Sequence, residues 1–365
     1  MNGAGKTLEI KVDSKLAYEI QIEESYRFLP ERLQSLDIQN RKFMIASDSN
    51  VARLYAGEMA DILRPIAKSV TVYRFPAGEK SKNLDTVKEC YEQLIRHGFD
   101  RKDILIALGG GVVGDLTGFV ASTYLRGIRF VQVPTSLLSM VDSSIGGKTG
   151  VDFNDYKNMV GAFYQPKLVY INLAVLRSLP SNQLYSGMSE IIKHGLIKDY
   201  DYYTWIQKHA SEIKAKNYPI LAEMIDRSCR IKKEVVEEDP KENGIRALLN
   251  FGHTIGHSVE KLKNFTLLHG ECVSVGMAAA AHLSLQRGYI TQEQYEDVLR
   301  TLQAFEQPVA VRGLNAEAVL QVTKLDKKMD AGHIKFILLK DIGKGIIDTT
   351  VSEKEISKAI QSVLS

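Results

Sequence analysis

Cysteine is scarce in this chain: three residues in 365, Cys90, Cys229 and Cys272, too few for a disulfide framework and suited to a reducing compartment. There is no apolar run near the roughly 20 residues that a membrane span needs, so no membrane partner is expected. Charge of one sign is also missing. Against 47 basic residues stand 44 acidic ones, and the formal charge of +3 gives no electrostatic reason to expect nucleic acid. The opening Met-Asn-Gly-Ala-Gly-Lys passes straight into alternating, strand-like sequence without a secretory h-region, and a cytoplasmic location is expected. No internal repeat or low-complexity tract is evident. What the chain has in quantity is hydrophobic sequence, 44% of it, enough at this length for two domains with cores of their own.

The first half alternates strand and helix patterns. Residues 42–47 form a short apolar run ending at Asp48, and helical spacing follows over 51–63. Residues 70–75 read as a second strand ahead of a turn at Pro76-Ala77-Gly78. Residues 104–108 are continuously apolar and stopped by three glycines, the pattern of a strand buried on both faces. Residues 130–133, closed by Pro134, and 168–171 add two more. This alternation predicts a Rossmann-like α/β domain on a largely parallel, helix-covered sheet. Near Leu179-Pro180 the pattern changes to amphipathic stretches over 183–197, 202–215, 220–238, 255–263 and 276–286, with no convincing strand before 334–339. The expected division is an α/β domain over 1–179 and a mainly α-helical domain over 180–365, with the cleft between them as the default ligand site.

Three constellations carry chemistry. Gly109-Gly110-Gly111-Val112-Val113-Gly114-Asp115 follows the third strand and precedes helical sequence over 116–124. It reads G-x-G-x-x-G, and glycines there let backbone N–H groups and a helix N-terminus approach a pyrophosphate. No acidic residue follows at about 20 positions to hold a ribose, and a tight turn without ligand is the competing reading. Asp48, at an earlier strand end, is suited to a ribose hydroxyl and hence to NAD, or else to forming a turn. The second constellation, Asp142-Ser143-Ser144-Ile145-Gly146-Gly147-Lys148-Thr149-Gly150, is followed by Lys157-Asn158; its glycine pair allows a sharp turn that offers Lys148 to an anion, unless the segment is a plain solvated loop.

The third is Arg246-x-x-x-Asn250-x-x-His253-x-x-x-His257 with His269-Gly-Glu271 downstream. His253 and His257, at i and i+4, share a helix face, a known way to pair metal ligands. Glu190, three residues before Lys193, and His269 are candidates to complete a nitrogen- and oxygen-rich site for zinc or a similar ion. Buried, hydrogen-bonded core histidines are the alternative.

Over about residues 40–345 the chain resembles the 3-dehydroquinate synthases, within the wider sugar-phosphate cyclases. The resemblance rests on Gly78-Glu79-x-x-Lys82, the glycine loop through Asp115, Arg126-Gly127, Pro134-Thr135-Ser136, the 142–150 segment, Lys157-Asn158, Glu190-x-x-Lys193, Lys232, the Arg246-to-His257 motif, His269-Gly-Glu and Asp326-Lys327-Lys328. It implies an NAD site lined by Asp48, Glu79, Lys82, Gly110, Gly111, Val112, Gly114, Asp115, Thr135, Ser136, Lys148, Lys157, Val175, Leu176, Arg177 and Ser178. It implies Glu190, His253 and His269 as ligands of one divalent ion, Zn2+ or Co2+, and moves His257 to a substrate role. Asp142, Lys148, Lys157, Asn158, Lys193, Lys232, Arg246, Asn250 and one of Lys327 or Lys328 are the implied substrate contacts. Arg126 is implied to serve a neighbouring subunit, hence a homodimer. Pro240 and Lys241 depart from the acidic run common at that point, and Ser136 stands where Thr is usual. The implied substrate is a seven-carbon sugar acid phosphate, with carboxylate and phosphate each needing a cationic clamp. The implied reaction is transient oxidation with NAD, β-elimination of phosphate, re-reduction and intramolecular aldol closure. A metal-dependent polyol dehydrogenase would not need the anion clamps, a sister cyclase would not need a carboxylate clamp, and a nucleotide or metal sensor would need no such combination.

Overall fold

The computed structural model describes residues 5–154, 156–326 and 335–365. Two compact units divide between Leu179 and Pro180. In the first, strands β1 (Lys6–Val12), β2 (Lys15–Glu23), β3 (Lys42–Asp48), β4 (Ser69–Phe75), β5 (Ile104–Gly109), β6 (Arg129–Pro134) and β9 (Leu168–Asn172) form one sheet in the order β1-β2-β9-β6-β5-β3-β4. Only the β1–β2 pair is antiparallel. Every residue of β5 and β9 is buried, which is why both read as unbroken apolar runs. The helices of this unit are α1 (Leu29–Gln34), α2 (Ser49–Val51) continuing through a π-type stretch Ala52–Ala56 into α3 (Gly57–Leu63), α4 (Leu84–Arg96) and α5 (Gly111–Thr123). From β3 the chain passes to β4 on one side, then returns to β5 on the other. The order therefore reverses between β3 and β5, the point at which sheets of this kind bind ligands beyond the strand carboxyl ends.

Helix α5 begins at Gly111, within the glycine run, and not at 116, because the glycines serve the first turn of the helix as well as its approach. The 142–150 segment is no plain loop. A π-type turn Ser139–Ser143 leads through Gly146 and Gly147, at φ +97° and +68°, into a hairpin of β7 (Lys148–Phe153) and β8 (Tyr156–Phe163). These left-handed angles are what a glycine pair makes cheap.

The second unit is helical: α6 (Ser181–Lys198), α7 (Tyr200–Lys208), α8 (Ala210–Lys214), α9 (Tyr218–Glu238), α10 (His253–Leu262), α11 (His269–Gln286), α12 (Gln292–Ala304), α13 (Ala316–Asp326) and α14 (Glu353–Gln361), with a hairpin of β10 (Phe336–Asp341) and β11 (Lys344–Asp348). The stretch expected as one helix over 202–215 is broken at His209 into α7 and α8. Helix α11 starts seven residues before the expected 276, at His269, where Glu271 accepts a hydrogen bond from the Leu268 N–H and closes the first turn. Among the described residues no helix is long and apolar enough to cross a membrane.

Candidate active site

In the first unit the ends of β3 and β5 flank the reversal in strand order, bringing Asp48 and the glycine loop to the same edge. One oxygen of Asp48 accepts hydrogen bonds from Asn50 N and Val51 N at 2.8 and 3.0 Å, so the residue caps α2, the turn-forming role weighed for it. A cavity of about 300 Å3 lined by Ser49, Arg74, Phe75 and Pro76 opens next to it. A Cβ on Gly114 would lie 2.7 Å from Gln132 Oε1 of β6, so this glycine sets close helix-to-strand packing; a Cβ on Gly110 would meet nothing nearer than Ser136 Oγ at 3.6 Å, leaving that side of the loop approachable. Val112 is half-buried one residue inside α5. Thr135 N donates to Gly109 O at 2.9 Å, and Ser136 Oγ sits 2.9 Å from Ser139 Oγ.

Beside the glycine loop lies an ionic network. The buried Lys82 ammonium donates to Asp115 Oδ2 at 2.7 Å and to Asn158 Oδ1 at 2.5 Å, and Lys157 Nζ stands 3.3 Å from Glu79 Oε1. Burial opposes the charge on Lys82, but Asp115 and Glu79 outweigh it and hold the ammonium above its ordinary pKa. Burial lifts the Asp115 carboxyl, with Lys82 pulling against it and Glu79 and Asp142 adding to the rise. Asp152 was not among the expected residues, yet it accepts from Asn158 N at 2.8 Å and its own N–H donates to Lys82 O. Lys148 is exposed at the first position of β7. Val175 and Leu176 are buried in the core after β9, whereas Arg177 and Ser178 are exposed, Ser178 hydrogen-bonding Tyr55. Arg126 is not brought to this edge. It is exposed beyond the far end of α5, at φ +64°.

In the second unit α6 carries Glu190 and Lys193, both buried, with Lys193 Nζ donating to Glu190 Oε2. The other oxygen, Oε1, is buried without a hydrogen-bond partner and faces two imidazoles: His253 Nε2 at 3.7 Å and His269 Nε2 at 3.9 Å. A buried carboxylate oxygen left so costs more than the 1–3 kcal/mol or so of a neutral group, unless a cation completes it. One carboxylate oxygen and two imidazole nitrogens within 4.8 Å of one another are a donor set that suits zinc or cobalt, so these residues fit a divalent ion. Close approach of the helices makes the cluster possible. A Cβ on Gly270 would fall 2.0 Å from Ser186 O, so only glycine lets the start of α11 meet α6. His257 lies on the same stripe as His253, ring centroids 5.1 Å apart and 5.9 Å from His269.

In the same unit α6 packs on α9 and on the 3-10 turn Ile245–Asn250, which carry Lys232 and Arg246, both buried. Arg246 Nη1 donates to Pro240 O at 2.7 Å, and Asn250 Nδ2 donates to Glu242 Oε1 at 2.9 Å. Asp239 holds this loop by accepting from the backbone N–H groups of Asn243, Gly244 and Arg246; burial would raise its carboxyl, but these donors and the Arg246 charge bring it below the usual range. Neither Asp239 nor Glu242 was among the expected residues, although Asp followed by Asn243-Gly244 is a turn signal. Lys327 and Lys328 lie outside the described residues.

Family models described as 3-dehydroquinate synthase N-terminal and C-terminal match residues 72–186 and 187–329. A 3-dehydroquinate synthase of Acetivibrio thermocellus is 42% identical over 345 residues, 94% of this chain and 95% of that one. Among solved structures, a 2-epi-5-epi-valiolone synthase from Streptomyces hygroscopicus with NAD+ and Zn2+ bound superposes with a TM-score of 0.88 at 27% identity, covering 98% of this chain and 99% of that one. A 2-deoxy-scyllo-inosose synthase complexed with carbaglucose-6-phosphate, NAD+ and Co2+ gives 0.88 at 25% identity, with 98% and 100% covered. With family models matched to both units and this identity carried over nearly its whole length, the chain belongs to the 3-dehydroquinate synthase family.

Proposed function

We propose that the chain converts 3-deoxy-D-arabino-heptulosonate 7-phosphate to 3-dehydroquinate and phosphate, a step of the shikimate pathway to aromatic amino acids, using NAD and one divalent ion. The observation that carries this reading is the burial of three cations, Lys193, Lys232 and Arg246, in the unit that holds the Glu190, His253 and His269 cluster, with Lys193 directly on Glu190. Burying a cation costs several kcal/mol, a cost that pairing, as of Lys193 with Glu190, and binding of a substrate with both a carboxylate and a phosphate offset. A polyol dehydrogenase would have no such use for them.

The first unit is assigned NAD through the β3–β5 edge: Asp48 at the ribose end, Gly110, Gly111, Val112 and Gly114 at the pyrophosphate, with Glu79, Lys82, Asp115, Thr135, Ser136, Lys148, Lys157 and the 175–178 stretch around it. Since the side chains of Val175 and Leu176 are in the core, the backbone there and the exposed Arg177 and Ser178 are the groups available for contact. The second unit is assigned the metal, Zn2+ or Co2+, through Glu190, His253 and His269. The two related cyclases bind NAD+ with these ions, which supports the assignment. Substrate contacts are assigned to Asp142, Lys148, Lys157 and Asn158 in the first unit, to Lys193, Lys232, Arg246, Asn250 and His257 in the second, and to Lys327.

When bound, NAD supplies a hydride acceptor that returns what it takes, and the divalent ion supplies Lewis acidity at a substrate hydroxyl. The chain's own groups hold and orient. Arg246 offers a planar fork to the carboxylate, held in place by Pro240 O, and the lysines act as point charges for phosphate. Lys193, fixed on Glu190, keeps one carboxylate oxygen engaged and turns the other toward the imidazoles. His257 is the proton-handling group beside the substrate. A cytoplasmic homodimer completes the reading. Incubation of enzyme with trace NAD and excess substrate should release phosphate over many turnovers without NADH absorbance accumulating. NADH formed in step with product would replace this reading with a dehydrogenase.

A further inference from the structure

Glu260 has no part in the ligand set assigned above, yet it is a buried carboxylate, 4% exposed, on the stripe of α10 that presents His253 and His257. Residues 253, 257 and 260 stand at i, i+4 and i+7, two turns along one face. That face meets the first residue of α11, and Glu260 Oε2 lies 3.5 Å from His269 Nδ1. The opposite ring nitrogen of His269, Nε2, is the one directed at Glu190 Oε1. His253 is disposed alike: its Nδ1 lies 3.2 Å from Phe251 O and its Nε2 faces the same Glu190 oxygen. A neutral imidazole has one N–H and one lone pair, and an acceptor at Nδ1 places the proton there and the lone pair at Nε2. For His253 the acceptor is a neutral carbonyl; for His269 it is a carboxylate, which also makes the ring a more basic donor.

We infer that Glu260 is a positioning residue: it fixes His269 as the Nδ1–H tautomer, with the Nε2 lone pair facing Glu190, and so sets the affinity of the Glu190, His253 and His269 site for its ion. This rests on the metal reading above. Glu260 also belongs to a second donor group with His257 and His269. That group shares His269 with the first, so one ion takes one set or the other. The partnerless oxygen of Glu190 favours the first and leaves Glu260 behind the ligand.

Two measurements test the inference. In the metal-free wild-type protein, 15N spectra of labelled histidines, with His269 assigned by comparison with His269→Asn, should show Nδ1 protonated and Nε2 bare; an Nε2–H tautomer overturns the proposal whether or not any variant folds. Zn2+ and Co2+ titrations against a chromophoric chelator should give Glu260→Gln an affinity weaker by about 10- to 100-fold, with the metal-free melting temperature little changed and the Co2+ visible bands shifted. If Glu190→Gln loses the ion and Glu260→Gln keeps wild-type affinity, Glu260 has no positioning role while the metal reading stands. If Glu190→Gln keeps the ion and Glu260→Gln loses it, the ion belongs to the other donor group and the metal reading falls too.

Discussion

His253, His257 and His269 have ring centroids within 6 Å of one another, and the direction of their nitrogens distinguishes them more than their spacing does. His253 and His269 turn Nε2 toward Glu190. His269→Ala should therefore strip the metal and abolish activity together. His257→Ala should lower turnover by about 10²- to 10⁴-fold, the range for a lost proton-transfer group, while metal content of the purified protein stays near one per chain. Loss of the ion from the His257 variant and its retention by the His269 variant would make the i, i+4 pair the ligands instead. Spacing alone brings out that pair because both residues sit on one helix. It offers Glu190 and His269 only as candidates, since Glu190 lies on another helix and meets the histidines through packing, and the family resemblance is what sets them with His253 in place of His257. The pairing of Lys82 with Asp115 is equally invisible in sequence, since the two come from different elements joined by folding. Glu260 does leave a trace, an acid two turns after His253 on the stripe that also carries His257, but its meaning depends on which ring nitrogen it faces.

Helix α11 places His269 at its first residue, and its other end is tied down by Arg287, which donates to Asp348 Oδ2 at 2.6 Å and to both oxygens of Glu355 at 2.8 and 3.0 Å. Glu355 also closes the capping box of α14 with Ser352. The hydrogen bonds from Arg287, then those from Ser352, bring the Glu355 carboxyl down to about 2 against an ordinary 4.5. A carboxyl depressed in the folded state means that the unfolded chain binds more protons in that interval. The stabilisation is thus fully present above about pH 4.5 and lost as pH falls toward 2. With the side chain partly exposed, its worth is discounted to about 1–2 kcal/mol. Glu355→Gln should be less stable than wild type by that amount in urea denaturation at pH 7, and the gap should shrink steadily between pH 4.5 and 2.5. A gap constant with pH would mean that packing, not charge, holds α14 in place. The same elements mark how far sequence reading reaches. The buried parallel strands are legible as apolar runs, whereas α12 buries only Val298, Thr301 and Leu302 in an otherwise largely polar sequence. The β7–β8 hairpin is not legible in the sequence, because no residue of β8 is fully buried and no apolar alternation announces it.

At the scale of the molecule, Arg126 is the residue whose place in its own unit least explains it. Helix α5 runs from Gly111 over 13 residues, about 20 Å, before the turn that holds Arg126. Leu125 and Arg126 both adopt positive φ, at +50° and +64°, and Arg101 donates to Leu125 O to hold the turn. Conformations this uncommon for non-glycine residues persist where the surroundings enforce them, frequently at functional positions. The same unit exposes Leu125, Phe153, Tyr156, Met159 and Phe163, apolar surface of the kind that a two-fold partner covers. If Arg126 serves a neighbouring subunit's site, Arg126→Ala and Lys148→Ala are each inactive alone but complementary when mixed. In the heterodimer the chain carrying Arg126→Ala has its own Lys148 and receives the partner's intact Arg126, so one site is whole while the other carries both lesions. Such a dimer should show about half of wild-type activity, and random exchange of equal amounts about a quarter. The exchange should be followed by mass spectrometry of the intact dimer, so that recovered activity is read against the heterodimer fraction. Activity that stays at the level of the parents while heterodimers form would place Arg126 in its own chain's chemistry, and a fully active monomer at assay concentration would remove the shared site altogether.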